Sequence, residues 1–350
     1  MTVQIIPAAE AIARQGEFST VIDARSEAEH AEDHWPGAVN WPSLNNEERH
    51  QVGTLYKQVS PFEAKKLGAA LVAANVARHI QREVIDKGRE WRPLVYCWRG
   101  GKRSGSLALV LDQIGFRVHL VEGGYKAFRS EVLAQMAPLA SRLQFRVVCG
   151  PTGSGKTRLL QALEARGAQV LDLEGLAHHR SSVLGLVPGQ PQPTQKRFDT
   201  RVWERLRGFD PARPVFVESE SKKVGNVTVP EAVILAMRAS PCLSLQLPDE
   251  ERVRLLLEDY TWFVDQPEFF CERLSALTEL RGREVVASWQ ARVLAGQTHD
   301  VVRELLVQHY DPMYAASIRR NFRQWEQARP LTARDRSAQA MDELAQALLA

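Results

Sequence analysis

The chain has no C-x-x-C pair, no long uncharged apolar run and little net charge. Its four cysteines, Cys97, Cys149, Cys242 and Cys271, lie far apart, which argues against a zinc ribbon or a disulfide framework and fits a reduced compartment. No stretch of about 18 uncharged apolar residues occurs, so no membrane span is expected. Residues Met1 to Glu10 lack a basic segment followed by an apolar one, so the expectation is a soluble, unexported, cytoplasmic protein with no membrane partner. A net charge of only +3 leaves no global field for nucleic acid, and any such contact must come from local basic patches. With 44% hydrophobic and 25% charged residues the composition is globular, and 350 residues suit two domains or more.

Against that background two anion-binding loops stand out. The first is Pro93-Leu94-Val95-Tyr96-Cys97-Trp98-Arg99-Gly100-Gly101-Lys102-Arg103-Ser104, an apolar run that ends on a thiol and passes at once into glycines and cations. Cations and loop N–H groups around sulfur favour the nucleophilic thiolate, and the same loop can hold an oxyanion beside it. A buried packing cysteine is the competing reading. The second is Gly150-Pro151-Thr152-Gly153-Ser154-Gly155-Lys156-Thr157, which fits G-x-x-x-x-G-K-[ST] at every fixed position between a strand-like run, Leu143 to Cys149, and a helix-like run, Arg158 to Ala165. Its backbone N–H groups and the helix N-terminus supply positive potential, Lys156 adds a full charge and Thr157 a hydroxyl.

Around these loops, strands and helices alternate. Phe18 to Arg25 reads as a strand, Ser26 as the cap of a helix over Glu27 to Glu32, and Pro61 as the start of a long helix with apolar residues at three- and four-residue spacing. After Cys97 come a helix, Ser104 to Ile114, a strand, Val118 to Val121, and a Gly123-Gly124-Tyr125 turn into a further helix. The second half repeats the alternation: the P-loop unit, a strand Gln169 to Glu174 whose end carries two acids, a Gly/Pro/Gln-rich loop over 185–194, a basic helix Gln195 to Arg207, a strand Pro214 to Glu220 ending in acid, and a strand Cys242 to Leu247. Beyond Pro248 the pattern reads as helix to the end. The expected fold class is α/β: a parallel-sheet domain over residues 1–138, a P-loop α/β domain over 139–250, and a helical region over 251–350 packed with the P-loop domain. Ligands in such sheets sit at the carboxyl ends of strands, where Cys97 falls.

The first half resembles a rhodanese domain, through Val21-Ile22-Asp23-Ala24-Arg25, Trp35-Pro36-Gly37-Ala38-Val39-Asn40, the Cys97 loop and Gly123-Gly124-Tyr125, with Pro61 to Lys87 as an insertion. The whole chain, with its P-loop domain, is similar to the tRNA 2-selenouridine synthase family. The matching segments are Cys97 to Ser104, Asp172-Leu173-Glu174-Gly175-Leu176-Ala177-His178-His179-Arg180, Gln195-Lys196-Arg197-Phe198-Asp199 and Val217-Glu218-Ser219-Glu220-Ser221. One departure is Ser181 to Gly185, where the family has a glycine next to Arg180.

The resemblance implies conversion of wobble 2-thiouridine in tRNA to 2-selenouridine, with geranyl diphosphate and selenophosphate as co-substrates. It makes Cys97 the selenium-carrying nucleophile, with Arg99, Gly100, Gly101, Lys102 and Arg103 around selenophosphate and the cations lowering the thiol's pKa. Gly150, Gly153, Ser154, Gly155, Lys156 and Thr157 would hold the diphosphate of the geranyl donor. Asp172, Glu174, Glu218 and Glu220 are candidates for acid chemistry or for supporting Mg²⁺ on Thr157, and ordinary capping or salt bridging explains each taken singly as well. Arg180, Lys196, Arg197, Arg201 and Arg205 are candidates for tRNA phosphates, against a solvated helix face. Arg319, Arg320 and Arg323, beside Phe322 and Trp325, pose the same choice. No resident metal site is expected, since His178 and His179 lack a third ligand at suitable spacing.

Three other activities fit parts of the sequence. Cys97 and Arg103 satisfy C-x₅-R, the loop of phosphocysteine phosphatases. A thiosulfate sulfurtransferase fits the first half, and a P-loop kinase with a regulatory rhodanese module fits both halves, because a P-loop reads phosphates and not what they are attached to.

Overall fold

Five short apolar runs in the first half pair as parallel strands: β1 (Gln4–Ile6), β2 (Thr20–Asp23), β3 (Val39–Asn40), β4 (Pro93–Tyr96) and β5 (His119–Val121). Their spatial order is β1-β5-β4-β2-β3, which puts β4 in the centre. All four β4 residues are buried, as a strand covered on both faces requires, and β4 ends one residue before Cys97. The computed structural model describes residues 2–180, 182, 184, 185 and 188–350. Ser181 and Val183, in the segment where the sequence departs from the family pattern, and Leu186 and Val187, in the loop over 185–194, lie outside the described residues.

The chain divides into two compact units, Met1–Gln135 with Lys196–Glu204, and Met136–Gln195 with Arg205–Ala350. The first unit therefore takes in most of the helix Gln195–Gly208, whose Phe198, Val202 and Trp203 are fully buried. Trp203 meets Phe128 edge-on at 5.6 Å, Arg129 pairs with Asp199, and Thr200 donates to Asp33 at 3.0 Å. The predicted cap is present: Ser26 and Glu29 form a reciprocal capping box on the helix Glu27–Glu32. The helix expected from Pro61 is present as Pro61–His79, and a further helix that the sequence pattern did not reveal, Asn46–Gln58, precedes it. Asn46–Gln58 buries no residue, so it carries no strong apolar stripe for the sequence to reveal.

The second unit holds a second parallel sheet, β6 (Gln144–Cys149), β7 (Gln169–Leu171), β8 (Pro214–Glu218), a separate antiparallel pair β9 (Lys223–Val224) and β10 (Val227–Thr228), then β11 (Cys242–Gln246) and β12 (Arg329–Thr332). The sheet order is β12-β11-β6-β8-β7, with the P-loop leaving the central strand. Two expectations change. The strand at Gln169 stops at Leu171, because Asp172 caps a short helix, Leu173–Ala177, by accepting from the Gly175 N–H at 2.7 Å. The region after Pro248 is helical except for β12, an edge strand in which only Leu331 is buried and Pro330 lacks a donor. Four residues containing a proline leave too little alternation to detect.

Candidate functional site

In the first unit the chain turns from β4 through residues 97–101 into the helix Lys102–Ile114. Cys97 is buried, and its Sγ accepts a hydrogen bond from the Ser104 hydroxyl at 3.0 Å, one turn inside that helix. The turn is closed from behind by the start of the helix Gly124–Arg142. Tyr125 N–H donates to the Cys97 carbonyl at 2.8 Å and Lys126 N–H to that of Trp98 at 3.1 Å. Gly124 is required there: its φ is +58°, and a Cβ would lie 2.3 Å from the Cys97 oxygen and 2.5 Å from the Gly100 nitrogen.

Of the loop cations, Arg99 and Lys102 are exposed. Arg103 is engaged elsewhere: its guanidinium donates to Glu29 at 2.8 Å, and that carboxylate also takes Arg49. The rhodanese-like Asp23 and Arg25 form a buried pair at 2.6 Å, with the guanidinium 4.0 Å from the Tyr125 ring centroid. They brace the turn beneath the thiol.

In the second unit the P-loop joins β6 to the helix Lys156–Ala165. Lys156 Nζ donates to the Gly150 carbonyl at 2.8 Å. Gly150 N–H donates to the Tyr314 hydroxyl at 2.6 Å, and Arg252 holds the Thr152 carbonyl through Nε and Nη2 at 3.1 and 2.9 Å. The loop lines a cavity of about 330 Å³ together with Glu174, Arg180, Glu220 and the helix Asp311–Asn321.

The acids fall into different roles. Glu218 ends β8 buried; its Oε1 accepts from the Glu174 N–H at 2.9 Å, Oε2 has no hydrogen-bond partner among the described residues, and burial with Glu174 and Glu220 nearby pushes its pKa well up. Burial, followed by the Glu220 charge, raises Glu174 to about 8. Asp172 is raised by burial and spends its carboxylate on the helix cap. Thr157, Glu174 and Glu220 line the same cavity, while the Asp172 carboxylate is spent on the helix cap. Among the described residues no three His, Cys, Asp or Glu side chains are grouped to hold a metal ion.

The five basic candidates are all engaged by the protein itself. Lys196 pairs with Glu32 at 2.7 Å, Arg197 donates to the His34 carbonyl at 3.1 Å, and Arg205 pairs with Glu164 at 2.8 Å. Arg201 is partly buried, and desolvation lowers its pKa. Arg180 lies over Tyr260 and Trp262, at 4.8 and 5.4 Å from their ring centroids. Arg319, Arg320 and Arg323 are different: they are exposed, and they alternate with Ile318, Asn321 and Phe322, which line the P-loop cavity. The sequence pattern offered both sets alike, and only the carboxylates, carbonyl and rings that folding brings close distinguish them.

Family models match both halves. A rhodanese-like domain covers residues 7–131, and the tRNA 2-selenouridine synthase AAA domain covers 143–276. A tRNA 2-selenouridine synthase of Alcanivorax borkumensis is 33% identical, over 84% of this chain and 88% of its own. One of Nitrosomonas europaea is 36% identical, over 69% of this chain and 63% of its own, and one of Marinobacter nauticus 31%, over 84% and 87%. A thiol loop on one parallel sheet and a P-loop on another, matched along most of the chain at this identity, make the protein a member of the tRNA 2-selenouridine synthase family of enzymes.

Proposed function

We propose that the protein replaces the 2-sulfur of wobble 2-thiouridine in tRNA with selenium in two stages. In the first, the thiocarbonyl sulfur attacks C1 of geranyl diphosphate: the S–C1 bond forms, the C1–O bond breaks, diphosphate leaves with the bonding pair and the N3 proton is lost. The P-loop N–H groups and Lys156 carry the charge of the departing diphosphate. Glu174, which lines the same cavity and titrates at about 8, is suited to take the proton. In the second stage the Cys97 thiolate attacks C2, the C2–S bond breaks and geranyl thiol leaves with a proton; water cleaves the P–Se bond of selenophosphate to phosphate and hydrogen selenide, whose selenium then bonds C2 as the C2–Sγ bond breaks and Cys97 is released. Overall, the S-geranyl nucleoside, selenophosphate and water give the selenouridine, geranyl thiol and phosphate, so no external oxidant or reductant enters. The first stage exists to make the sulfur able to leave, since a thiocarbonyl sulfur is a poor leaving group and a thiol a good one.

The observation that carries this reading is the Cys97 turn: a sulfur at a strand's carboxyl end, hydrogen-bonded by Ser104 at the start of a 13-residue helix, in a chain that also holds a complete phosphate loop. The phosphatase alternative loses its cation, because Arg103 is paired with Glu29. For tRNA phosphates, Arg319, Arg320 and Arg323 suit better than the basic residues of the helix Gln195–Gly208, because they are exposed beside the cavity.

The test is mass analysis of wobble nucleosides after incubation of tRNA with protein, geranyl diphosphate and selenophosphate, each omitted in turn. Cys97→Ser should abolish selenouridine while S-geranyl-2-thiouridine still forms, and Lys156→Ala should abolish both. Unchanged selenouridine in the first variant, or wild-type geranylation in the second, overturns the corresponding assignment.

A further inference from the structure

Beside the phosphate-loop cavity lies a second cavity of different character, with about 50 Å³ of open space. It is lined mainly by apolar side chains, among them Leu257, Phe263, Phe270, Val302, Leu305 and Leu306, with Ser182 and Thr298 also on its wall. Phe270, Leu305 and Leu306 are buried to within a few per cent, so this is the core of the helical region opened to form a slot. Three aromatic rings run through it in register. Tyr260 stacks on Phe263 at 5.6 Å and 13°, and Phe263 stacks on Phe270 at 4.6 Å and 18°.

The slot adjoins the phosphate site. Thr152 of the P-loop, Leu256, Tyr260 and Tyr310 line both cavities. A ligand anchored by phosphate on the loop would therefore reach the slot by passing the shared side chains of Ser182, Leu256, Tyr260 and Tyr310. A nucleotide placed there would have to bury a polar base and ribose among Phe263, Phe270 and Leu305, with a few hydroxyls, those of Ser182, Thr298 and the two tyrosines, to replace the hydrogen bonds it makes in water. A branched hydrocarbon has no such cost and removes its own apolar surface from water.

Resting on the prenyl-transfer reading above, we propose that this slot receives the hydrocarbon chain of the donor, with Phe263 and Val302 limiting the chain length that is accepted. The P-loop then selects for diphosphate and the slot for isoprenoid over nucleotide. The helix Thr298–Leu305 and the segment Thr261–Leu274 thereby serve as a specificity device. Val302 is partly exposed to the slot, so a larger side chain there fills it, whereas shortening Phe263 lengthens it.

The experiment is calorimetric binding of inorganic diphosphate and of the non-reactive thiolo-diphosphate analogues of dimethylallyl, geranyl and farnesyl donors. The proteins are the full-length wild type, Val302→Phe and Phe263→Ala. Wild type should bind the geranyl analogue at least about tenfold more tightly than inorganic diphosphate, the yield of burying even a few methylene groups. In Val302→Phe the geranyl advantage should fall about tenfold while inorganic diphosphate binds as before, which also shows that the phosphate loop is folded. In Phe263→Ala the farnesyl analogue should gain on the geranyl one, a gain that general destabilisation cannot produce. If wild type prefers geranyl and both variants keep its chain-length order, the slot assignment is overturned and the prenyl-donor reading stands. If wild type binds the geranyl analogue no better than inorganic diphosphate, the prenyl-donor reading itself fails and takes the slot with it.

Discussion

The backbone N–H of Gly150 donates to the hydroxyl of Tyr314 at 2.6 Å, a bond between the first residue of the phosphate loop and a helix 164 residues later in the chain. Tyr314 sits on Asp311–Asn321, the same helix that lines the P-loop cavity, so the loop's starting point and the cavity wall are fixed to each other. Tyr314→Phe keeps the ring and removes the acceptor. The orphaned N–H should cost about 1–2 kcal/mol of stability and raise the KM for the diphosphate donor several-fold, with little change in the yield of selenation from pre-geranylated tRNA. Thermal melting and the two half-reactions, assayed separately, check this.

The thiol turn has its own single point of failure. Gly124→Ala would place a methyl group 2.3 Å from the Cys97 carbonyl oxygen, at a φ of +58°, and neither the turn nor the helix start can move without losing the Tyr125 and Lys126 hydrogen bonds. Selenation should fall by at least about tenfold, the consequence of an ångström-scale displacement of a nucleophile. Geranylation should continue, so S-geranyl-2-thiouridine should accumulate. Nucleoside mass analysis reads both at once.

Both loops were legible in the sequence because each rests on a local rule. A strand, a glycine-bearing loop and a helix start within about fifteen residues leave a pattern that needs no tertiary information. The capping box at Ser26 and Glu29 was legible for the same reason. What the sequence did not reveal depends on contacts between distant residues. Lys196, Arg197 and Arg205 form a basic stripe on paper, and only the fold brings Glu32, the His34 carbonyl and Glu164 against them. Asp172 continued an apolar run as far as the pattern showed, yet its side chain found the Gly175 N–H and began a helix. The apolar residues from Leu257 to Leu306 carry helical spacing that would suit a closed core equally well, so the slot among them has no signature in the pattern.

Glu174 gives the second unit a distinctive pH response. Burial and the Glu220 charge raise its carboxyl from 4.5 to about 8 in the folded protein, so between these values the native state holds a proton that the unfolded chain has released. Stability from this group is therefore complete below about pH 4.5 and is lost as pH rises through about 8. Glu174→Gln keeps the shape and removes the titration. Its melting temperature should gain on that of the wild type as pH rises from 5 to 8, widening by several degrees, and should show no such trend below pH 4.5. The same variant should lose the alkaline-side dependence of geranyl transfer if this carboxylate accepts the N3 proton.

Arg252 ties the remaining pieces together. It is only 5% exposed, donates twice to the Thr152 carbonyl, and pairs with Asp311 at 2.6 Å at the first residue of the Tyr314 helix. Two loop attachments, one through Gly150 and one through Thr152, thus converge on a single helix. A lysine keeps the charge but cannot fork, so it can satisfy Thr152 or Asp311 and not both in this geometry. Arg252→Lys should cost about 2 kcal/mol and weaken diphosphate binding more than Tyr314→Phe does, because it releases the loop in its middle as well as loosening the helix. The double variant should fall short of the sum of the singles, since both act through the position of one helix. Strict additivity in a double-mutant cycle, read by melting and by diphosphate titration, would show that the two attachments work independently.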